Sequence, residues 1–166
     1  MKKLKVYLDT SIINFLRADD APVYKNATEI LFNDIIVPHK IDTYISRVLL
    51  EEIDDTTNDK IKNELQDFVN KYKGNFKILE ANHEKIDEIT FLAGEYIKER
   101  IIPEKKVSDA LHVAYSTIFE MDILLSWNFK HLANVNKEHK ILIVNKTHGY
   151  NYPFRLANPL EVQYDE

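Results

Sequence analysis

Residues 4–16 read Leu-Lys-Val-Tyr-Leu-Asp-Thr-Ser-Ile-Ile-Asn-Phe-Leu. Leu4 to Leu8 is a short β-rich run, Asp9-Thr10-Ser11 favours capping and turns, and Ile12, Ile13, Phe15 and Leu16 suit a short helix. A strand that feeds straight into a helix is the opening of a βαβ unit, and so of a parallel sheet.

The pattern repeats outward from there. Ala27, Ile30, Leu31 and Ile35 suit a helix that ends before Pro38, and Thr43-Tyr44-Ile45 is the next candidate strand. Ser46 is placed to cap a long helix with Val48, Leu49 and Ile53 on its apolar face, broken around Asp54 to Asn58 and resuming from Ile61 through Val69 until Gly74 ends it. Phe76 to Leu79 is a third strand candidate. From His83 to Arg100 apolar residues recur at helical spacing up to the break at Pro103. Ser108 can cap a further helix whose residues Ala110 to Ile118 leave little polar surface. Ile123 to Trp127 and Ile141 to Val144 read as two more strands, and the stretch from Asn145 to Glu166 as an irregular tail. Strands separated by helices imply right-handed crossovers and a parallel sheet covered on both faces, a three-layer α/β/α sandwich. With 166 residues, and no repeat or linker, the expectation is one domain over 1–166.

Composition narrows the chemistry. There is no cysteine, which excludes disulfide frameworks, zinc ribbons and thiol nucleophiles and leaves oxygen or imidazole as metal ligands. Met1-Lys2-Lys3 is followed by only a short apolar run before Asp9, so no secretory core develops, and no stretch is long enough to span a membrane; a cytoplasmic location follows by default. The net charge of −5 opposes bulk attraction to a polyanion, unless part of it is local and neutralised by a cation.

In a parallel sheet the ligand site lies beyond the carboxyl ends of the strands. Asp9 follows the first strand, Glu51 and Glu52 lie in the helix after the second, Asp109 opens the apolar helix, and Asn128 follows the strand ending at Trp127. Each has a plainer role available. Asp9 could be a helix cap, although Thr10 and Ser11 could cap equally well. Asp109 could be a favourable charge at a helix N-terminus, worth roughly 0.3 to 1 kcal/mol. An acid at the mouth of so apolar a helix is nevertheless costly to desolvate without a partner or a cation. Glu51 and Glu52 point about a hundred degrees apart on a helix, so only one can face the cleft. His112, one turn beyond Asp109, could face the same cleft, although it better suits a satisfied structural histidine, and Trp127 and Phe129 suit the core. Three acids and an amide oxygen would suffice for Mg²⁺ or Mn²⁺, which can activate water against a phosphodiester.

These strings are similar to a known family. VYLDTSIINFL (6–16), YISRVLLEEI (44–53), SDALHVAYS (108–116) and DILLSWNFKHLAN (122–134) resemble the four motifs of the PIN-domain ribonucleases, especially the VapC-like toxins of type II toxin-antitoxin pairs. The ending IVNKTHGYNYPFRLANPLEV (143–162) resembles that of the subgroup with a WNFKHL-type fourth motif. The resemblance implies a five-stranded parallel sheet and selects Glu52, six positions after Ser46, over Glu51. It implies Asp9, Glu52 and Asp109 as ligands of Mg²⁺ or Mn²⁺, with Asn128 beside them and Ser11 and Ser126 in support. Asn128 stands where many members carry aspartate, which removes one charge. A metal-dependent endoribonuclease, cutting single-stranded or structured RNA, is the implied activity. A cognate antitoxin and a homodimer are the implied partners.

Arg17, Arg47, Lys106, Lys130 and His131 are candidates for RNA contacts, each also readable as solvated surface. Two rival classes stand beside the ribonuclease: a binding module that keeps the fold without turnover, and a metal-dependent phosphatase or DNA nuclease.

Overall fold

The computed structural model describes residues 2–162; Met1 and the last four residues of the expected tail, 163–166, lie outside the described residues. The opening strand is β1 (Lys5–Leu8), and it passes into the short helix α1 (Thr10–Asn14). Helix α2 (Pro22–Ile30) has proline at its first position, where a missing N–H costs nothing, and runs on through a π-helical turn over Leu31–Ile36. Then follow β2 (Asp42–Ser46), α3 (Arg47–Asp54), α4 (Asp59–Tyr72), β3 (Phe76–Leu79), α5 (His83–Lys98), α6 (Val107–Ile118), β4 (Ile123–Leu125), α7 (Val135–Thr147) and β5 (Arg155–Ala157).

All four strand pairings are parallel, in the order β3-β2-β1-β4-β5. Period-two alternation divides the core between the faces. Tyr7 and Leu124 join one apolar cluster, with Leu92 and Tyr96 of α5, Val113 of α6 and Ile141 of α7. Val6, Leu8, Ile45 and Leu125 join the other, with Ile12 and Ile13 of α1, Phe32, and Leu65 of α4. The result is the three-layer sandwich expected, with helices on both faces of a five-stranded sheet.

Three local expectations are corrected. Ile141 to Val144 is not a strand but part of α7, whose buried residues Ile141, Val144 and Asn145 fall at helical spacing and whose N-terminus is capped by Asn134 accepting from Lys137 N. The fifth strand lies instead at Arg155–Ala157, inside the stretch expected to be irregular, which also holds the end of α7. Helix α6 begins one residue before Ser108, after a 3₁₀ turn at Glu104–Lys106, so Ser108 is inside the helix and Lys106 occupies the cap position without a side-chain bond.

Because β1 pairs with β2 on one side and β4 on the other, chain connections leave β1 in opposite directions. That switch point opens a crevice at the carboxyl ends of β1 and β4, the place such sheets use for ligands.

Candidate active site

Asp9 sits at the mouth of that crevice. Its N–H donates to Leu125 O of β4 at 3.2 Å, and its Oδ1 accepts from Ser11 N at 3.0 Å and Ser11 Oγ at 2.5 Å. So Asp9, not Thr10 or Ser11, is the cap of α1. Ser11 Oγ also accepts from Trp127 N at 2.8 Å and lies 3.4 Å from Ser126 Oγ, which ties the start of α1 to the loop after β4.

Helix α3 contributes Glu52. Ser46 caps it, accepting from Val48 N at 3.2 Å, and this phase turns Glu52 inward while Glu51 is exposed beside Arg47 at 3.9 Å. Glu52 Oε1 accepts from Thr10 Oγ1 at 2.7 Å and lies 2.6 Å from His112 Nε2. Burial opposes the charge on Glu52, but the bonds from His112 and Thr10 more than offset it and hold this carboxyl below the usual range.

Asp109 stands in the first turn of α6, half-buried, and Asp109 Oδ2 accepts from Asn128 Nδ2 at 3.0 Å. Asn128 Oδ1 accepts from His131 N at 3.0 Å, and Asn128 N donates to Ser126 Oγ at 3.0 Å. The amide oxygen expected as a ligand therefore closes the turn of its own loop, while its nitrogen holds Asp109.

A cavity of about 140 Å³ is lined by Asp9, Thr10, Ser11, Asn14, Glu52, Lys106, Asp109, His112 and Asn128. Positions a hundred residues apart in the chain thus share one pocket. Burial pushes the Asp9 carboxyl up to about 6, with the Asp109 charge adding to it and His112, Ser11 and Ser126 opposing. Asp109 is likewise raised, first by burial and then by Glu52, against His112 and Lys106. Both acids resist ionisation chiefly because burial takes water away from their charged forms.

The carboxylates of Asp9, Glu52 and Asp109 are hard oxygen donors suited to Mg²⁺ or Mn²⁺. Among the described residues, however, no three acidic or imidazole side chains are gathered at ligand spacing; Asp109 is held by Asn128 and Glu52 by His112.

The expected cations divide. Lys106 lines the pocket, and His131 lies beside Lys106, Lys130 and Asp109, its pKa lowered by desolvation and then by the two lysines. Arg17 is turned away, with Nε 2.7 Å from Glu64 Oε2 of α4. Arg47 lines a different groove, with Leu50, Ile78 and Tyr115. Thr10 and Asn14 line the pocket without having been expected there, and His112 contacts Glu52 directly. Their signal in the chain is weak: a threonine next to Asp9, an asparagine about one turn on, and a histidine three residues after Asp109. Trp127 is buried, with Nε1 donating to Thr28 Oγ1 at 2.8 Å, whereas Phe129 is 38% exposed and packs against Tyr24.

No family model matches the chain, and neither does any curated protein. Among solved structures, a chain of VapBC2 from Rickettsia felis, bound to a DNA fragment from their promoter, superposes with a TM-score of 0.52 at 16% identity, over 92% of this chain and 97% of that one. The likeness is one of fold, and it agrees with the PIN-like sandwich.

Proposed function

We propose that this chain is a Mg²⁺- or Mn²⁺-dependent endoribonuclease, the toxin of a toxin-antitoxin pair. What carries the reading is the convergence of Asp9, Glu52 and Asp109, from β1, α3 and α6, on one pocket at the switch point, where two of the three resist ionisation. A divalent cation would replace the water these carboxylates lose on burial, and the all-oxygen donor set fits one that retains several waters and needs few protein ligands.

When bound, the ion supplies Lewis acidity, making water a stronger acid and offsetting charge at the phosphate. The protein's own part is orientation. Ser11 and the α1 backbone fix Asp9, Thr10 and His112 fix Glu52, and Asn128 fixes Asp109, so the carboxylates are held before substrate arrives. Lys106, with Lys130 nearby, supplies positive charge for the strand on either side of the scissile phosphate, and His131, its pKa lowered, offers a neutral hydrogen-bonding ring. Water adds to phosphorus and the bond to O3′ breaks; the leaving oxygen takes the proton, which yields a 5′-phosphate and a 3′-hydroxyl.

The test uses the purified full-length chain with single-stranded RNA, a structured RNA, single-stranded DNA and a small phosphate ester, each with Mn²⁺ or with EDTA. RNA cleavage that needs the metal and disappears in Asp9→Asn and Asp109→Asn supports the reading. Undiminished cleavage by those variants rejects it, and preference for DNA or the ester reassigns the substrate. A binding module without turnover is the second reading, favoured by Asn128, whose nitrogen engages Asp109 where a carboxylate would add charge; metal binding and cleavage both absent would select it. The proposal includes action in the cytoplasm, a homodimer and an antitoxin partner. For the homodimer, light scattering on the purified chain is the check; for the antitoxin, suppression of cleavage on co-purification. No described helix is long and apolar enough to cross a membrane.

A further inference from the structure

From Glu52 a line of buried polar side chains runs back beneath the pocket. Ser46 Oγ is 2.6 Å from Tyr7 Oη, Tyr7 Oη is 2.5 Å from His112 Nδ1, and His112 Nε2 is 2.6 Å from Glu52 Oε1. Ser46, Tyr7 and His112 are 0%, 0% and 1% exposed, so each atom must find its partner inside the protein.

The order of protons along this line follows from its two ends. At one end Ser46 Oγ accepts from Val48 N at 3.2 Å, as the cap of α3, so its own hydrogen is left to donate to Tyr7 Oη. Tyr7 then has a single hydrogen, which goes to His112 Nδ1. At the other end the Glu52 carboxylate accepts only, and it takes the proton carried by Nε2. The reverse order would require a second acceptor for the Ser46 hydroxyl, and among the described residues there is none. Every donor therefore points toward Glu52.

We propose that His112 is a positioning residue, locked by Ser46 and Tyr7 into the tautomer with Nε2–H and bare Nδ1, which fixes Glu52 by one oxygen and leaves Oε2 as its single free ligand atom. Thr10 Oγ1 donates to the same Oε1, so both internal donors converge on one oxygen. Among the described residues Oε2 accepts no hydrogen bond. The inference rests on the proposed role of Glu52, and it goes beyond the plainer role of His112 as a core residue: the core needs an acceptor for the Tyr7 hydroxyl, whereas the orientation of Glu52 needs a donor at the Nε2 position.

The tautomer is measured on the metal-free full-length protein labelled with ¹⁵N-histidine. Ring nitrogen shifts near neutral pH are expected to show Nε2 protonated and Nδ1 bare, and Tyr7→Phe is expected to blur that pattern. The opposite tautomer overturns the proposal, whatever the protein cleaves. His112→Gln, whose amide nitrogen reaches the Nε2 position, is then compared with His112→Asn, whose amide falls short of it. Mn²⁺ affinity by calorimetry is expected to fall about 10- to 100-fold in His112→Asn and to be largely recovered in His112→Gln, as for other partners of metal ligands. Equal losses in two variants with equal thermal midpoints overturn the positioning role. Should the wild type bind no Mn²⁺ and cut no RNA while the ring shifts are as expected, the nuclease reading fails and the proton order stands.

Discussion

Asp9→Asn is expected to make the metal-free protein more stable while abolishing cleavage. Asp9 is 2% exposed, and its carboxyl is raised from 3.8 to about 6. Because the folded state holds the proton more tightly than the unfolded one, ionisation works against folding. The cost is absent below pH 3.8 and fully developed above about pH 6. At neutral pH that difference amounts to about 3 kcal/mol. Asparagine removes the charge and keeps an oxygen to accept from Ser11 N and Ser11 Oγ, so the α1 cap survives. Its new NH₂ must be desolvated, which offsets about 1 kcal/mol, and a net gain of about 2 kcal/mol is expected. Urea unfolding in EDTA near pH 7 and again near pH 4 measures it, and the advantage should shrink at the lower pH, where the wild-type carboxyl is protonated in the folded state and only partly ionised in the unfolded one. Adding Mn²⁺ should stabilise the wild type and leave the variant little changed. A variant less stable than wild type at neutral pH, or an advantage independent of pH, refutes the view of Asp9 as a strained charge.

Glu52→Gln should reduce cleavage at least about 100-fold, whereas the exposed Glu51→Gln should leave it within about twofold, a contrast read from initial rates on one RNA. Lys106→Ala should raise KM and weaken its salt dependence with little change in kcat, while Arg17→Ala, which only frees Glu64, should leave KM where it was; steady-state rates at two salt concentrations separate them. Away from the site, Tyr96→Phe should lower stability by about 1 to 3 kcal/mol with activity intact, because Thr117 and Asn145 lose a buried partner; thermal unfolding and cleavage together check this.

How much of this was legible beforehand differs by level. The parallel sandwich was written in short-range pattern: a short β-rich run at β1, a Ser46 that caps α3, a break at Asp54 and an apolar α6 each announce themselves within a few residues. The Ile141 to Val144 run misled because four consecutive apolar residues have no period of their own, so a strand and a buried helical turn look alike. β5 escaped notice because Arg155-Leu156-Ala157 is three residues long and takes its strand character from pairing with β4.

At the site, the chain alone could nominate acids after strands, and the helical angle between Glu51 and Glu52 could say that only one turns inward. Which other groups meet them was a matter for three dimensions. Asn128 looked like an oxygen ligand until the His131 N–H claimed its Oδ1, and His112 read as a structural histidine near the cleft, with nothing in the chain to say that Tyr7 and Glu52 lie on either side of its ring. Local periodicity is carried by neighbours in sequence and can be read there. A hydrogen bond between Tyr7 and His112 spans 105 positions, and only the packing of α6 against β1 brings its atoms within reach.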